Sequence, residues 1–150
     1  MQLKEALRFN YLFNGLNDDE FERIASMATL KEFEGGSVIV RQFDKSSDIM
    51  VVLDGNVRVN SFHGDKLAEG GPGCIIGEIS LIDEKPRSAT VVSVGKSQVG
   101  IIPAQHIWSL MQGDPNLARK VLYNISQVLC LRLRAANMHL DTLMGKLAGS

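Results

Sequence analysis

Apolar and polar positions change their period twice along the chain. Between Asn17 and Ala28 the residues Phe21, Ile24, Ala25 and Ala28 recur at helical spacing, and Asn17 stands three residues before Glu20 as a capping pair. This spacing predicts a short helix over about 18–28. From Leu30 to Pro103 the pattern becomes short β-branched runs broken by turn residues, at 37–41, 48–53, 56–62, 88–94 and 97–102. Asp54-Gly55, between Ile49-Met50-Val51-Val52-Leu53 and Val57-Arg58-Val59, predicts a two-residue hairpin, because both turn positions need φ > 0. Gly35-Gly36, His63-Gly64-Asp65 and Gly95-Lys96 supply further turns. Many short strands at such spacing predict a sandwich, jelly roll or small barrel rather than alternating βαβ units.

Asp114-Pro115 opens the last element, with Asp as N-cap and Pro at the first helical position. Ala118, Leu122, Ile125, Leu129, Leu133, Ala136, Leu140, Leu143 and Leu147 then step by three or four. About 33 residues would extend about 50 Å, more than the width of a small β domain. The far half therefore either folds back after a break near Asn137 or meets a second copy along an a/d-like seam.

Composition narrows the class. The 150 residues, 45% hydrophobic and 22% charged, fit one domain with a proper core. Lys and Arg total 16 against 17 Asp and Glu, so the chain lacks the basic excess that drives direct nucleic-acid binding. Cys74 and Cys130 lack the spacing of a cluster or structural zinc site and are expected as reduced, partly buried thiols. His63, His106 and His139 are single and far apart, so no metal site is expected. Ser61, Ser80 and Ser88 lack the Gly-x-Ser-x-Gly elbow, and catalysis has no support. Ile49–Leu53, among the longest apolar runs, is far too short to span a bilayer, and Met1 to Asn10 carries Lys4, Glu5 and Arg8 without the apolar core of a secretory signal. A cytoplasmic protein without membrane insertion is expected.

The densest chemical signal runs from Gly77-Glu78-Ile79-Ser80-Leu81 to Pro86-Arg87-Ser88-Ala89-Thr90-Val91. A glycine before a single helical turn exposes backbone N–H groups to an anion, Arg87 can add a bidentate charge, and Ser88 a hydroxyl donor. Glu78 is the odd member, because a carboxylate repels phosphate. Its presence suits a ligand that offers hydroxyl donors nearby, such as a ribose. In the alternative reading Glu78 caps the short helix and Arg87 pairs with it structurally. These residues alone leave the two nearly balanced.

The segment resembles the phosphate-binding cassette of the cyclic nucleotide-binding domain superfamily, which includes catabolite activator proteins, kinase regulatory subunits and cyclic nucleotide-gated channels. The resemblance rests on Gly77-Glu78, Ser80-Leu81 and Pro86-Arg87-Ser88-Ala89-Thr90, and extends through Leu12-Phe13-Asn14-Gly15-Leu16, Phe33-Glu34-Gly35-Gly36 and Val52-Leu53-Asp54-Gly55-Asn56-Val57-Arg58-Val59. It departs from the family at Ile76, where an aromatic is frequent, at Phe43-Asp44, where Gly-Asp is usual, and in the glycine-rich Gly70-Gly71-Pro72-Gly73.

The resemblance implies an antiparallel β-roll with flanking helices: a helical part at about 10–29, the roll at 30–103 with its cassette at 77–91, and C-terminal helices at 104–147. It implies that Gly77, Glu78, Ile79, Ser80, Arg87, Ser88 and Ala89 surround a cyclic nucleotide, cAMP or cGMP, with Glu78 on the ribose 2′-hydroxyl and Arg87 on the phosphate. Arg132 or Arg134, four to five turns into the long helix, is expected over the purine base. The expected protein is a regulatory domain, not an enzyme, without cofactor, homodimeric through the C-terminal helix. The family's transcription factors carry a winged helix-turn-helix after that helix, which would need about 60 further residues. The chain is then a free-standing regulatory domain or a fragment of a regulator or channel; a ligand-free dimerisation or docking module is the alternative.

Overall fold

The computed structural model describes residues 1–61, 64 and 66–149. Its β part is a six-stranded antiparallel sheet rolled around an apolar interior. The strands are β1 Thr29–Phe33, β2 Val38–Val40, β3 Ile49–Asn60, β4 Lys66–Gly70, β5 Ile75–Ile76 and β6 Thr90–Ile102. Their order is β1-β6-β3-β4, with β2 also on β6 and β5 also on β3. Helices α1 Leu3–Phe9 and α2 Asp18–Ala25 precede the roll, with a 3-10 turn, Tyr11–Phe13, between them. Helix α3, Glu78–Asp83, lies within it, and α4 Ala104–Gly113 and α5 Pro115–Ala148 follow. The antiparallel roll with flanking helices is therefore the observed fold class.

Period-two alternation on β3 divides the core. Ile49, Val51 and Leu53 pack with α1, α2, α4 and the first part of α5, whereas Met50, Val52 and Val57 fill the roll with Val40, Ile76, Val91 and Val99. Buried on both faces, the run from Ile49 to Leu53 reads as uninterrupted apolar residues.

The expected hairpin at Asp54-Gly55 does not form. Its two flanking runs are one strand, and both pair with β6, from Ile49↔Ile102 to Asn60↔Thr90. Gly55, at φ +86, sits where the register shifts, and an added Cβ would collide with the Lys96 carbonyl oxygen and the Ser97 hydroxyl. Gly95-Lys96 likewise lies inside β6, where Ser93 Oγ bonds Ser97 Oγ at 2.7 Å. The glycines thus bend two paired strands together at a corner of the roll. Helix α2 ends at Ala25 rather than Ala28, and β1 begins four residues later. The Phe62 end of the expected strand, His63 and Asp65 of the expected turn, and Ser150 lie outside the described residues.

Helix starts follow the sequence reading. Asn17 Oδ1 accepts from the Glu20 N–H at 2.9 Å while Glu20 Oε1 accepts from the Asn17 N–H at 2.9 Å. Asp114 Oδ1 accepts from the Asn116 and Leu117 N–H groups, and Arg23 Nη2 donates to Asp114 Oδ2 at 2.9 Å. Helix α5 runs through Asn137 without a break, so the fold-back does not occur. Leu117, Val121, Asn124 and Ile125 are buried, whereas every described residue from Leu129 on is exposed. Cys130 is accordingly exposed, not partly buried as expected. Among the described residues no helix is long and apolar enough to cross a membrane.

Glu20 does more than cap. Only 2% exposed, it accepts from Lys120 Nζ at 2.7 Å and so ties α2 to α5. Burial pushes its carboxyl up, but bonds from Lys120 and the Asn17 N–H outweigh this and hold it below its usual value. With a depressed folded value, the pair stabilises the fold above the unfolded carboxyl value of about 4.3 and stops doing so as pH falls through the folded one. Lys120→Met keeps the apolar stem but strands a buried carboxylate, and should cost about 3 kcal/mol at pH 7. The deficit should shrink towards pH 4, where the stranded carboxyl protonates. Urea unfolding of both proteins at the two pH values checks this.

Candidate functional site: an anion cradle at the mouth of the β-roll

The residues between β5 and β6 turn inward because of their backbone. Gly77 caps α3 at φ +94, a conformation that favours glycine, and a Cβ there would collide with Arg87 Nη1 and the Asp48 carbonyl oxygen. Only a glycine lets the guanidinium pass this close. At the far end Glu84, also left-handed at φ +56, closes the helix through its N–H to the Ser80 carbonyl at 3.1 Å. The chain then returns through Pro86 to Arg87. There the Arg87 N–H donates to the Asp44 carbonyl at 2.9 Å and the Phe43 N–H to the Arg87 carbonyl at 2.8 Å. Phe43 holds φ +70 to make this bridge. The departure from Gly-Asp in the sequence is thus a bulky side chain placed where backbone conformation favours glycine.

Arg87 is the most unusual group in the fold. It is 4% exposed, and Nη2 donates to the Asp48 carbonyl at 2.6 Å. Nε and Nη1, both buried, have no hydrogen-bond partner among the described residues. Burial pushes the guanidinium below its ordinary value, an effect the carboxylates of Asp48, Asp44 and Glu78 oppose. A buried cation with idle donors is costly unless an anion completes it.

A cavity of about 320 Å³ opens beside Arg87, which forms part of its lining. Gly77, Glu78, Ile79, Ser80, Arg87, Ser88, Ala89 and Arg132 form its polar side, and Val40, Val59, Ala68, Ile76 and Val91 its apolar wall. The first turn of α3 turns N–H groups without helical acceptors to the same side. The site therefore combines a cationic, donor-rich end with an apolar sleeve. It suits a small anion carrying an apolar ring.

Every expected cassette residue lines this cavity, but Arg134 does not; it lines a separate groove with Tyr11, Asn14 and Tyr123. The structural pairing of Arg87 with Glu78 is not made. Glu78 Oε1 instead accepts from Arg132 Nη2 at 3.0 Å, and the partly exposed Arg132 thereby joins α5 to the cassette. Trp108 Nε1 donates to the Leu81 carbonyl at 2.9 Å, so α4 touches the same short helix. Sequence reasoning missed Cys74, Val40, Val59 and Ala68 as lining residues. Alternation along β2 and β3 could have suggested the two valines; Ala68 and Cys74 carried no signal. Burial and the nearby Glu78 charge push the Cys74 thiol up, which keeps it protonated.

Comparison with known proteins places the fold. The family model described as cyclic nucleotide-binding domain matches residues 30–114. A protein named cyclic AMP receptor protein, from Thermus thermophilus, is 32% identical over 136 residues, covering 88% of this chain and 61% of its own length. The crystal structure of a cyclic nucleotide-binding domain from Methylobacillus flagellatus superposes with a TM-score of 0.75 at 26% identity, over 91% of this chain and 79% of that one. A protein named glutaminase 1, from Bradyrhizobium diazoefficiens, is 26% identical over 88% of this chain but only 21% of its own length. This chain thus spans about three-fifths of the receptor and a fifth of the glutaminase. With the family model matched over residues 30–114 and the receptor protein alike over most of its length, the chain belongs to the cyclic nucleotide-binding domain family.

Proposed function

We propose that the chain is a regulatory module that binds a 3′,5′-cyclic purine nucleotide, cAMP ahead of cGMP, and signals through α5. The observation that carries this reading is Arg87, a buried guanidinium that lines the cavity and whose Nε and Nη1 have no hydrogen-bond partner among the described residues. The cyclic phosphate lies on Arg87, the Ser88 and Ala89 segment and the first turn of α3 at Ile79 and Ser80. The ribose 2′-hydroxyl donates to Glu78. Arg132 neutralises much of the Glu78 charge, which lets a carboxylate share a pocket with a phosphate. The base lies toward the cavity mouth, with Arg132 as its cover because a guanidinium stacks on a purine face. Of the two arginines first considered, Arg132 is the one that lines the cavity.

The output follows from the same contacts. A ligand shifts an equilibrium only by binding its two states differently. Contacts to Glu78 and to Leu81 reach α5 through Arg132 and α4 through Trp108, so occupancy changes the free energy of both helices. The name of the Thermus relative supports cAMP as ligand. The reading assigns binding rather than catalysis to this chain, requires no cofactor and no direct nucleic-acid contact, and places the protein in the cytoplasm.

We further propose a homodimer along α5. Leu129, Leu133, Ala136, Leu140 and Leu143 repeat by four and three residues, and all are exposed, Leu133 at 62% and Leu140 at 55%. This stripe is the a/d seam of a parallel or antiparallel helix pair.

Titration calorimetry tests the ligand. Wild type should bind cAMP, and Arg87→Ala should lose about 2 to 5 kcal/mol of binding free energy, roughly 30-fold or more in affinity. A wild type giving neither heat nor thermal shift with millimolar cAMP or cGMP would instead identify a ligand-free docking module.

The seam has its own test. Sedimentation of wild type at high micromolar concentration should give a dimer, and Leu133→Glu with Leu140→Glu a folded monomer; a monomeric wild type removes the seam.

A further inference from the structure

We propose that Tyr11 is a positioning residue for Glu78: its phenol donates to the carboxylate and, with Arg132, fixes it for a ribose hydroxyl. This rests on the cyclic-nucleotide reading and deepens it. Tyr11 begins the 3-10 turn at the N-terminal side of the roll and is half-buried. It lines a cleft shared with Glu78, Arg132, Cys74 and Gly73, where its phenol lies close enough to the Glu78 carboxylate to feel its charge. An ionised carboxylate only accepts, so the phenol donates. Burial first, and then the Glu78 charge, push the phenol up, which keeps that proton in place across the physiological range.

The turn that carries Tyr11 is clamped on two sides by buried asparagines. Asn10 accepts from the Leu12 N–H at 2.8 Å and donates Nδ2 to the Gly73 carbonyl at 3.0 Å, which fastens the turn to the loop entering the cassette. Asn124 donates Nδ2 to the Leu12 carbonyl at 3.0 Å and the Asn14 carbonyl at 2.9 Å, which fastens it to α5. The phenol is thus delivered to Glu78 by a turn that cannot shift without breaking buried bonds. Two donors from separate elements, Tyr11 and Arg132, hold one carboxylate. A carboxylate has about four acceptor sites, so capacity remains for a hydroxyl from the cavity. Binding to a preoriented acceptor avoids ordering it at the moment of binding.

The test is calorimetric titration of the full chain with cAMP and with 2′-deoxy-cAMP, for wild type, Tyr11→Phe, Glu78→Gln and the double variant. Tyr11→Phe keeps the ring and should weaken cAMP about three- to tenfold while leaving the 2′-deoxy analogue little changed. In the Glu78→Gln background it should add nothing. Tyr11→Leu, which also removes the ring, should lower the melting temperature while giving the same ribose-to-deoxyribose ratio as Tyr11→Phe. Equal losses for both ligands, no loss for either, or simple additivity with Glu78→Gln would overturn the role. A wild type that binds neither ligand overturns the nucleotide reading and this proposal with it; a wild type that binds both while Tyr11→Phe is indifferent overturns this proposal alone.

Discussion

Neighbouring residues of a β-strand point to opposite faces, so a strand stays apolar throughout only when both faces are covered. Strand β3 is under that constraint from Ile49 to Leu53. One face needs the helices α1, α2, α4 and the first part of α5; the other needs the interior of the roll. The helical layer and the ligand-facing layer therefore share a strand, and neither can shift far without disturbing the packing of the other. Strand β6 runs beside β3 for its whole length, and the paired bends at Gly55 and Gly95 turn both strands around one interior. The cavity lies where that interior meets the cassette.

The polar half of the site is costly to build. Arg87 surrenders its hydration for one carbonyl bond, and the fold tolerates it because Gly77 leaves room and the backbone of Phe43 and Asp44 pins the chain on both sides. Three nearby carboxylates offset part of the desolvation without supplying partners to Nε and Nη1. Glu78 is arranged in the opposite manner, with a donor from Arg132 and, as proposed above, a second from Tyr11. One group is left wanting an acceptor and the other has its acceptor oriented in advance. In the proposed function these correspond to the phosphate and the ribose of one ligand.

Local chemistry was legible in the sequence wherever a few adjacent residues decide the outcome. The Asn17–Glu20 capping pair and the Asp114-Pro115 helix start depend on side chains reaching their own backbone, and both form as the sequence suggests. The cassette could be read for the same reason, its glycine, carboxylate and arginine lying close together in the chain. Pairing between distant strands could not. Asp54-Gly55 has the residues of a hairpin turn, yet the flanking runs pair with successive parts of β6 rather than with each other. Helix α1 gave no signal because its buried residues, Ala6 and Leu7, are adjacent and set no period. Tyr11 and Cys74 reached the site through tertiary contact alone. Arg132 and Arg134 were equivalent in sequence, and only the rotation of α5 put the first on the cavity and the second on another groove.

In the proposed function that rotation also locates the boundary along α5 that matters for signalling. Up to Ile125 the helix is held by buried residues, by Asn124 on the 3-10 turn and by Lys120 on Glu20. Beyond Leu129 every described residue is exposed, so within one chain the second half of the helix has few contacts of its own to fix it. Arg132 stands just past this boundary, and its bond to Glu78 ties the exposed half to the cassette. A ligand that changes the partners of Glu78 acts where one such bond is a large fraction of the local stability, whereas the same change upstream of Ile125 would be absorbed by the core. The exposed leucines lie on this same half. In the proposed dimer, the segment whose position the nucleotide biases is therefore the segment that meets the second copy.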